Sequence, residues 1–244
     1  MSRLVRWAEI SLGAALIALA AGCSSGARPF VYKANPPAPG AERFPLKAAV
    51  LAFKDGTEDF TRRGSLLNPD GLTHNAARSG WLPAELWAKT LADDLSASGG
   101  FRSVRFLYDA SELRDEDFHI EGTLEKAYVP GVPYEKPTEY AFALRAFRKA
   151  DKAPFWEKAV ARSFLVPKNR YDGCGMKVRC MVDRSEEDLN RVMREMFAEA
   201  REDLEKTLAA HSAGGAAEGA APKGAGQPSG ESVDRTIDKI LKGK

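Results

Sequence analysis

Between residues 44 and 210 the apolar positions of this chain change period several times, and each change marks an element. "KAAVLAF" (47–53) is almost continuously apolar, the pattern of a strand buried on both faces. A long polar stretch, 54–80, separates it from "LPAELWAKTLADDLSASGG", where Trp87, Leu91 and Leu95 recur at fourfold spacing. Pro83 near the start and Gly99-Gly100 after the end bound that segment as an amphipathic helix. "FRSVRFLYD" (101–109) reads as a strand. In "DFHIEGTLEKAYV", Phe118, Ile120, Gly122 and Leu124 alternate with His119, Glu121, Thr123 and Glu125, which predicts a strand with one buried and one wet face. "EYAFALRAF" and "FWEKAVARSFLV" predict two more strands, joined by the polar, proline-bearing turn "RKADKAP". In "SEEDLNRVMREMFAEAREDLEKTLAA", Leu189, Val192, Met193, Met196, Phe197, Ala200, Leu204 and Leu208 form one helical stripe, with Ser185 and Asp188 approximating a capping box. The order β-α-β-β-β-β-α predicts an α/β (α+β) fold: a mixed sheet of about four to five strands with two helices packed on one face.

The flanks follow different rules. Ile10 to Ala21 is an apolar or small run of about a dozen residues, preceded by Arg3 and Arg6. That is the length of a signal-peptide core and well short of the ~20 residues of a membrane-spanning helix. Ala20-Ala21-Gly22-Cys23 then resembles the bacterial lipobox, with Ala20 where leucine is commonest. The resemblance implies cleavage before Cys23 and acylation of its thiol and amine. Ser24 stands where inner-membrane retention would place an aspartate, which implies the outer membrane, facing the periplasm. The expected organisation is therefore a signal peptide (1–22), a lipid anchor and flexible proline-rich tether (23–45), a periplasmic domain (46–210), a small-residue linker (211–230) and a terminal amphipathic segment (231–244). Val233, Ile237, Ile240 and Leu241 give that last segment its helical spacing, either as a docking helix or as a weakly populated one.

Composition narrows the class. Charged residues make up 29% of the 244, and the formal charge of +2 falls to +1 once Arg3, Arg6 and Glu9 leave with residues 1–22. A balanced surface of this kind argues against nucleic acid as a partner. With Cys23 set aside for lipid, Cys174 and Cys180 remain in "YDGCGMKVRC" and are expected to form a structural disulfide in an oxidising compartment. The alternative, a metal half-site, needs two further ligands, and His74, His119 and His211 have no ligand spacing to the pair.

Four short segments carry a second resemblance. Residues 48–53 (AAVLAF) stand where a Val-Ala-Val-Leu-Pro-Phe strand would be. Ser98-Gly99-Gly100-Phe101 with Val104, Asp117 to Leu124, and Arg148 to Asp151 before Trp156 match further turns and strands. Together they resemble the periplasmic lipoproteins related to the curli-secretion lipoprotein and the peptidoglycan-synthase activators. Ala52 in place of a frequent proline, the insert at 54–80, the cysteine loop and the C-terminal tail depart from that pattern. The resemblance implies the same fold and compartment; auxiliary lipoproteins of lipid or solute transporters share much the same element order.

Little in the chain points to catalysis. Ser65, Ser79 and Ser111 lack a G-x-S-x-G setting. "DGTED" (55–59) lacks the ligand ladder of a calcium loop and reads as a solvated turn. His119 beside Glu121 reads as a strand histidine on the wet face. No cofactor and no metal are expected. The insert is too long for a simple connection. Its Phe60, Arg62, Arg63, Leu66, Leu67 and Arg78, together with Trp81, are the candidate partner-binding residues. The same insert has a second reading, as a cover for a sheet edge, and Trp81 as a core residue. The expected function is a non-enzymatic, membrane-anchored component that binds an envelope protein, with self-association open. The alternative is an auxiliary lipoprotein of an outer-membrane lipid or solute transport system.

Overall fold

The structure is a computed structural model that describes residues 30–37, 43–58, 61–62, 73–77, 82–130, 134–149, 151–175 and 177–214, with backbone alone at 61–62, 73–75 and 212–214. The chain divides into two compact units, Met1–Val31 and Tyr32–Lys244, and the architecture below is that of the second. The signal segment, Cys23 and the tail from 215 onward lie outside the described residues.

The long elements follow the expected order: β1 (Phe44–Leu51), α1 (Ala84–Ala97), β5 (Phe101–Leu107), β6 (Phe118–Pro130), β7 (Thr138–Arg148), β8 (Trp156–Phe164) and α2 (Val178–Gly214). The insert between β1 and α1 adds three short strands, β2 (Lys54–Asp55), β3 (Thr61–Arg62) and β4 (Thr73–Asn75). The sheet is mixed. β1 runs parallel to β5 and to the first part of β6, while β6, β7 and β8 form an antiparallel meander.

The strand patterns explain where the core sits. On β6 the alternating set Phe118, Ile120, Gly122 and Leu124 is buried. Its partners Ala146, Leu144 and Phe142 on β7, and Val160 on β8, share that face. The helices cover it. Trp87 of α1, Phe142 of β7 and Phe197 of α2 are fully buried and meet ring to ring, at centroid distances of 5.9–6.2 Å. β1 is buried on both faces, because Ala49 and Leu51 pack with Leu107 and Leu113 on the side away from the helices. That is why its sequence is continuously apolar rather than alternating.

Two glycines are dictated by geometry. Gly99 takes φ +69° as the chain leaves α1, a conformation that favours glycine. Gly122 lies under the Phe53 ring, so a Cβ there would stand 2.3 Å from two of its carbons.

α2 begins at Val178, seven residues before the expected start. Ser185 is therefore inside the helix, where its hydroxyl donates to the Met181 carbonyl (2.9 Å) and caps nothing. The extra turns are held from outside. The Arg170 guanidinium donates to Asp188 (2.8 Å), Glu187 (2.9 Å) and the Arg184 carbonyl (2.9 Å). Cys174 and Cys180 form a disulfide, with Cα atoms 5.5 Å apart, across the helix entry. Further along, α2 docks on β8 through polar contacts. Trp156 Nε1 donates to Asp203 (2.8 Å), Arg162 pairs with Glu199 (2.7 Å), and Lys158 lies 3.3 Å from Glu199.

Candidate functional site

The insert acts first on the sheet. β6 outruns β1, which would leave the backbone of its second half unpaired on one side. β2 pairs with Thr123 and Leu124, and β4 with Tyr128, Val129 and Pro130, so the insert supplies strands to that edge. β3 then pairs with β4, which places the backbone of Arg62 on the outermost strand. Phe60, Arg63, Leu66, Leu67, Arg78 and Trp81, the rest of the candidate partner-binding set, lie outside the described residues. Of the two readings of the insert, edge cover describes β2 and β4.

The wet face of the sheet has a local constellation of its own. His119 on β6 and Phe147 on β7 are register partners and stack at 5.4 Å with planes 17° apart. Arg145 lies over the Phe147 ring at 5.8 Å and 3.7 Å from Glu121, which is itself 3.7 Å from His119. An aromatic ring in contact with an imidazole and a guanidinium gives a surface with both apolar area and directional polar groups, a composition suited to protein contact.

A third feature lies at the end of the sheet. Phe44, Phe101, Phe118 and Phe155 contact one another in sequence, at centroid distances of 5.8–5.9 Å. Beside them opens a cavity of about 260 Å³ lined by Leu46, Phe118, Phe155, Leu208, Arg148 and His211. Arg148 lies over the Phe155 ring at 5.4 Å, and His211 Nδ1 bonds the Thr207 carbonyl at 2.8 Å.

The most constrained polar site was not among the candidates read from the sequence. Asp94 of α1 has a fully buried side chain facing α2. One carboxylate oxygen accepts from the Tyr32 hydroxyl (2.8 Å), the Asn35 amide N–H (3.1 Å) and the Asn35 side-chain amide (3.4 Å). The other accepts from Arg201 of α2 (3.0 Å), whose side chain is also largely buried. Asn190 Oδ1 accepts the Lys33 N–H at 2.7 Å, and the Arg194 carbonyl accepts from Asn35 at 3.2 Å. The Tyr32 ring meets Phe197 edge-on at 5.6 Å. The stretch 32–35, read from its composition as part of a flexible tether, is thus bound as an arm to both helices. Pro36 and Pro37 stiffen its exit, and Pro36 biases Asn35 to extended backbone.

The electrostatics follow from that burial. The Tyr32 phenol is pushed far above its ordinary value, first by burial, then by the adjacent Asp94 charge and the hydrogen bond to it. The hydroxyl therefore remains protonated, and a donor, across the physiological range. Nothing in this arrangement resembles a reacting pair: the carboxylate is occupied by donors from two segments, the arm and α2. Its chemistry is that of a clasp.

Among the described residues, no group of three or more histidine, cysteine, aspartate or glutamate side chains is arranged to hold a metal ion, and no helix is long and apolar enough to cross a membrane. The space between helices and sheet at Trp87, Phe142 and Phe197 is filled by their rings. Trp87 Nε1 has no hydrogen-bond partner there.

No protein-family model and no curated protein matches the chain. Solved structures give distant likenesses. A Xanthomonas campestris protein described under the family model DUF330 is 9% identical, with a TM-score of 0.45, over 74% of this chain and 96% of that one. PelC from Paraburkholderia phytofirmans, described as a dodecamer, is 17% identical with a TM-score of 0.36, over 52% and 78%. The lipoprotein GNA1162 from Neisseria meningitidis is 12% identical with a TM-score of 0.28, over 58% and 96%. Likenesses at these scores carry no argument about this chain.

Proposed function

We propose that this chain is a lipid-anchored lipoprotein of the bacterial outer membrane, on its periplasmic side. In this reading its domain acts without catalysis as a protein-binding component of an envelope assembly. One juxtaposition supports the reading most directly: the small-residue motif ending in Cys23 is followed, nine residues on, by an arm that the domain itself binds through Tyr32 and Asn35. A domain that grips the segment next to its anchor is arranged to be held near a bilayer.

The physics of such an anchor is favourable. Each buried methylene contributes about 0.8 kcal/mol, and more than one acyl chain on Cys23 makes residence on the membrane effectively stable. Ser24 supports the outer membrane in the same reading. Holding the domain near its partner raises effective concentration, so a modest interface suffices. The described polar groups also fit this role, since Arg162 and Lys158 hold α2 to the sheet, Arg201 holds it to α1, and Arg170 ties the turn before it to its first half. The wet face around His119 and Phe147 is the surface offered to a partner. The transporter alternative draws less support, because the space between helices and sheet at Trp87 and Phe197 is filled by packed rings and the cavity beside Phe118 and Leu208 is confined to the end of the sheet.

Mass spectrometry of the mature amino terminus tests the anchor: a diacylglyceryl-modified and N-acylated Cys23 is expected. A Cys23→Ala protein should leave the membrane fraction. An unmodified thiol, or a variant that still sediments with membranes, refutes the reading. Affinity capture from envelope extracts, with and without residues 54–80, then tests whether the insert contributes to partner recognition.

A further inference from the structure

From the arm we infer that the domain works on a short leash: the clasp at Asp94 ends the tether at Tyr32, so the domain meets its partner within that leash's reach of the bilayer. The inference rests on acylation of Cys23 and deepens that reading by naming the kind of partner, one embedded in the same membrane or anchored to it.

The two cases differ in length. From Cys23 to Tyr32 there are nine residue steps, which span at most about 32 Å when fully extended. If the arm were free, the tether would run to β1 at Phe44, twenty-one steps and up to roughly 75 Å. The first leash keeps the domain against the lipid surface; the second lets it search well into the space beyond.

The arm's hold is specific. Five hydrogen bonds from Tyr32, Lys33 and Asn35 meet both helices: Tyr32 and Asn35 on Asp94, Lys33 on Asn190, and Asn35 on the Arg194 carbonyl. With the arm in place the Asp94 carboxylate is fully buried. Releasing the arm would leave that carboxylate with Arg201 alone, so the bound state is favoured without any external ligand. The two prolines that follow Asn35 keep the chain from folding back onto the same donors.

The test uses the full-length lipidated protein in liposomes, with a donor dye on Glu157→Cys and an acceptor on lipid headgroups. Glu157 is exposed, and Cys174 and Cys180 are joined to each other, so labelling is selective. One variant carries twenty Gly/Ser residues between Gly26 and Ala27, before the clasp. A second carries the same insert between Pro39 and Gly40, after it. The first should lower energy transfer, as the mean height rises by roughly 10 Å or more. The second should match the parent. Adding Tyr32→Ala and Asn35→Ala to the second variant should restore the loss of transfer.

Equal loss from both insertions in the otherwise unchanged chain overturns the inference, as does an unchanged transfer with the first. Failure of the anchor itself reads out separately, as protein that does not sediment with the liposomes.

Discussion

Asp94→Ala is the substitution that weighs the clasp. It deletes one buried carboxylate and strands four donors at once: the Tyr32 hydroxyl, two N–H groups of Asn35, and the Arg201 guanidinium. Arg201 retains only Glu205, at 3.9 Å. Breaking a buried ion pair by removing one partner costs about 3–5 kcal/mol, because the remaining charge stays desolvated. Against a total stability of about 5–15 kcal/mol for a domain of this kind, that is a large fraction.

Tyr32→Phe isolates a smaller part, since it keeps the ring on Phe197 and removes only the hydroxyl. A hydrogen bond to a charged group contributes about 1.5–3 kcal/mol, so the loss should fall in or just below that range. The decisive quantity is the coupling. Once Asp94 is gone the phenol has no acceptor, so Tyr32→Phe should cost almost nothing in the Asp94→Ala background. Arg201→Ala combined with Asp94→Ala should likewise cost less than the sum of the two, by about 1–3 kcal/mol. Urea unfolding followed by tryptophan fluorescence measures all of these, with Trp87 in the core as reporter. A loss below about 1 kcal/mol for Asp94→Ala, or strict additivity with Tyr32→Phe, refutes the clasp.

Three further outcomes follow from particular contacts. Gly122→Ala should destabilise by about 2–3 kcal/mol, because the new methyl meets a buried Phe53 ring at 2.3 Å, and Phe53→Leu should recover part of the loss in thermal melts. The raised Tyr32 pKa means that the folded state keeps a proton which the unfolded chain sheds near pH 10. Stability from this group is therefore full below about pH 10 and declines above it. Absorbance titration at 295 nm should show one fewer late-ionising phenol in Tyr32→Phe. Reducing the Cys174–Cys180 bridge should cost about 2 kcal/mol and speed hydrogen exchange in the first turns of α2, leaving β6 and β7 protected.

What the sequence disclosed and what it concealed divide along one physical line. Periodicity records which face of an element meets the core, and that information is local. The alternation of Phe118, Ile120 and Leu124, the fourfold spacing from Trp87 to Leu95, and the continuous run in β1 all translated directly into burial. The start of α2 did not, because the apolar residues of 178–184 do not meet the core: Val178 and Val182 are exposed. The segment is helical through contacts made from outside, by Arg170 and the disulfide.

The clasp is non-local in the same sense. Tyr32 and Asp94 are separated by 62 residues, and Asn35 and Arg194 by 159. A proline-rich stretch before a domain reads as free tether because composition says nothing about what it lies against. One sign was nevertheless present. Asp94 falls seven residues after Trp87, on the buried face of α1, and Arg201 falls four after Phe197 on α2. An ionisable residue on an apolar stripe has to meet a partner or become uncharged. Two of opposite sign, each on a helix that packs on the same sheet, are each other's natural partner. A carboxylate has more acceptor sites than one arginine contact uses, so a donor from elsewhere in the chain was implied as well. The bound arm supplies it.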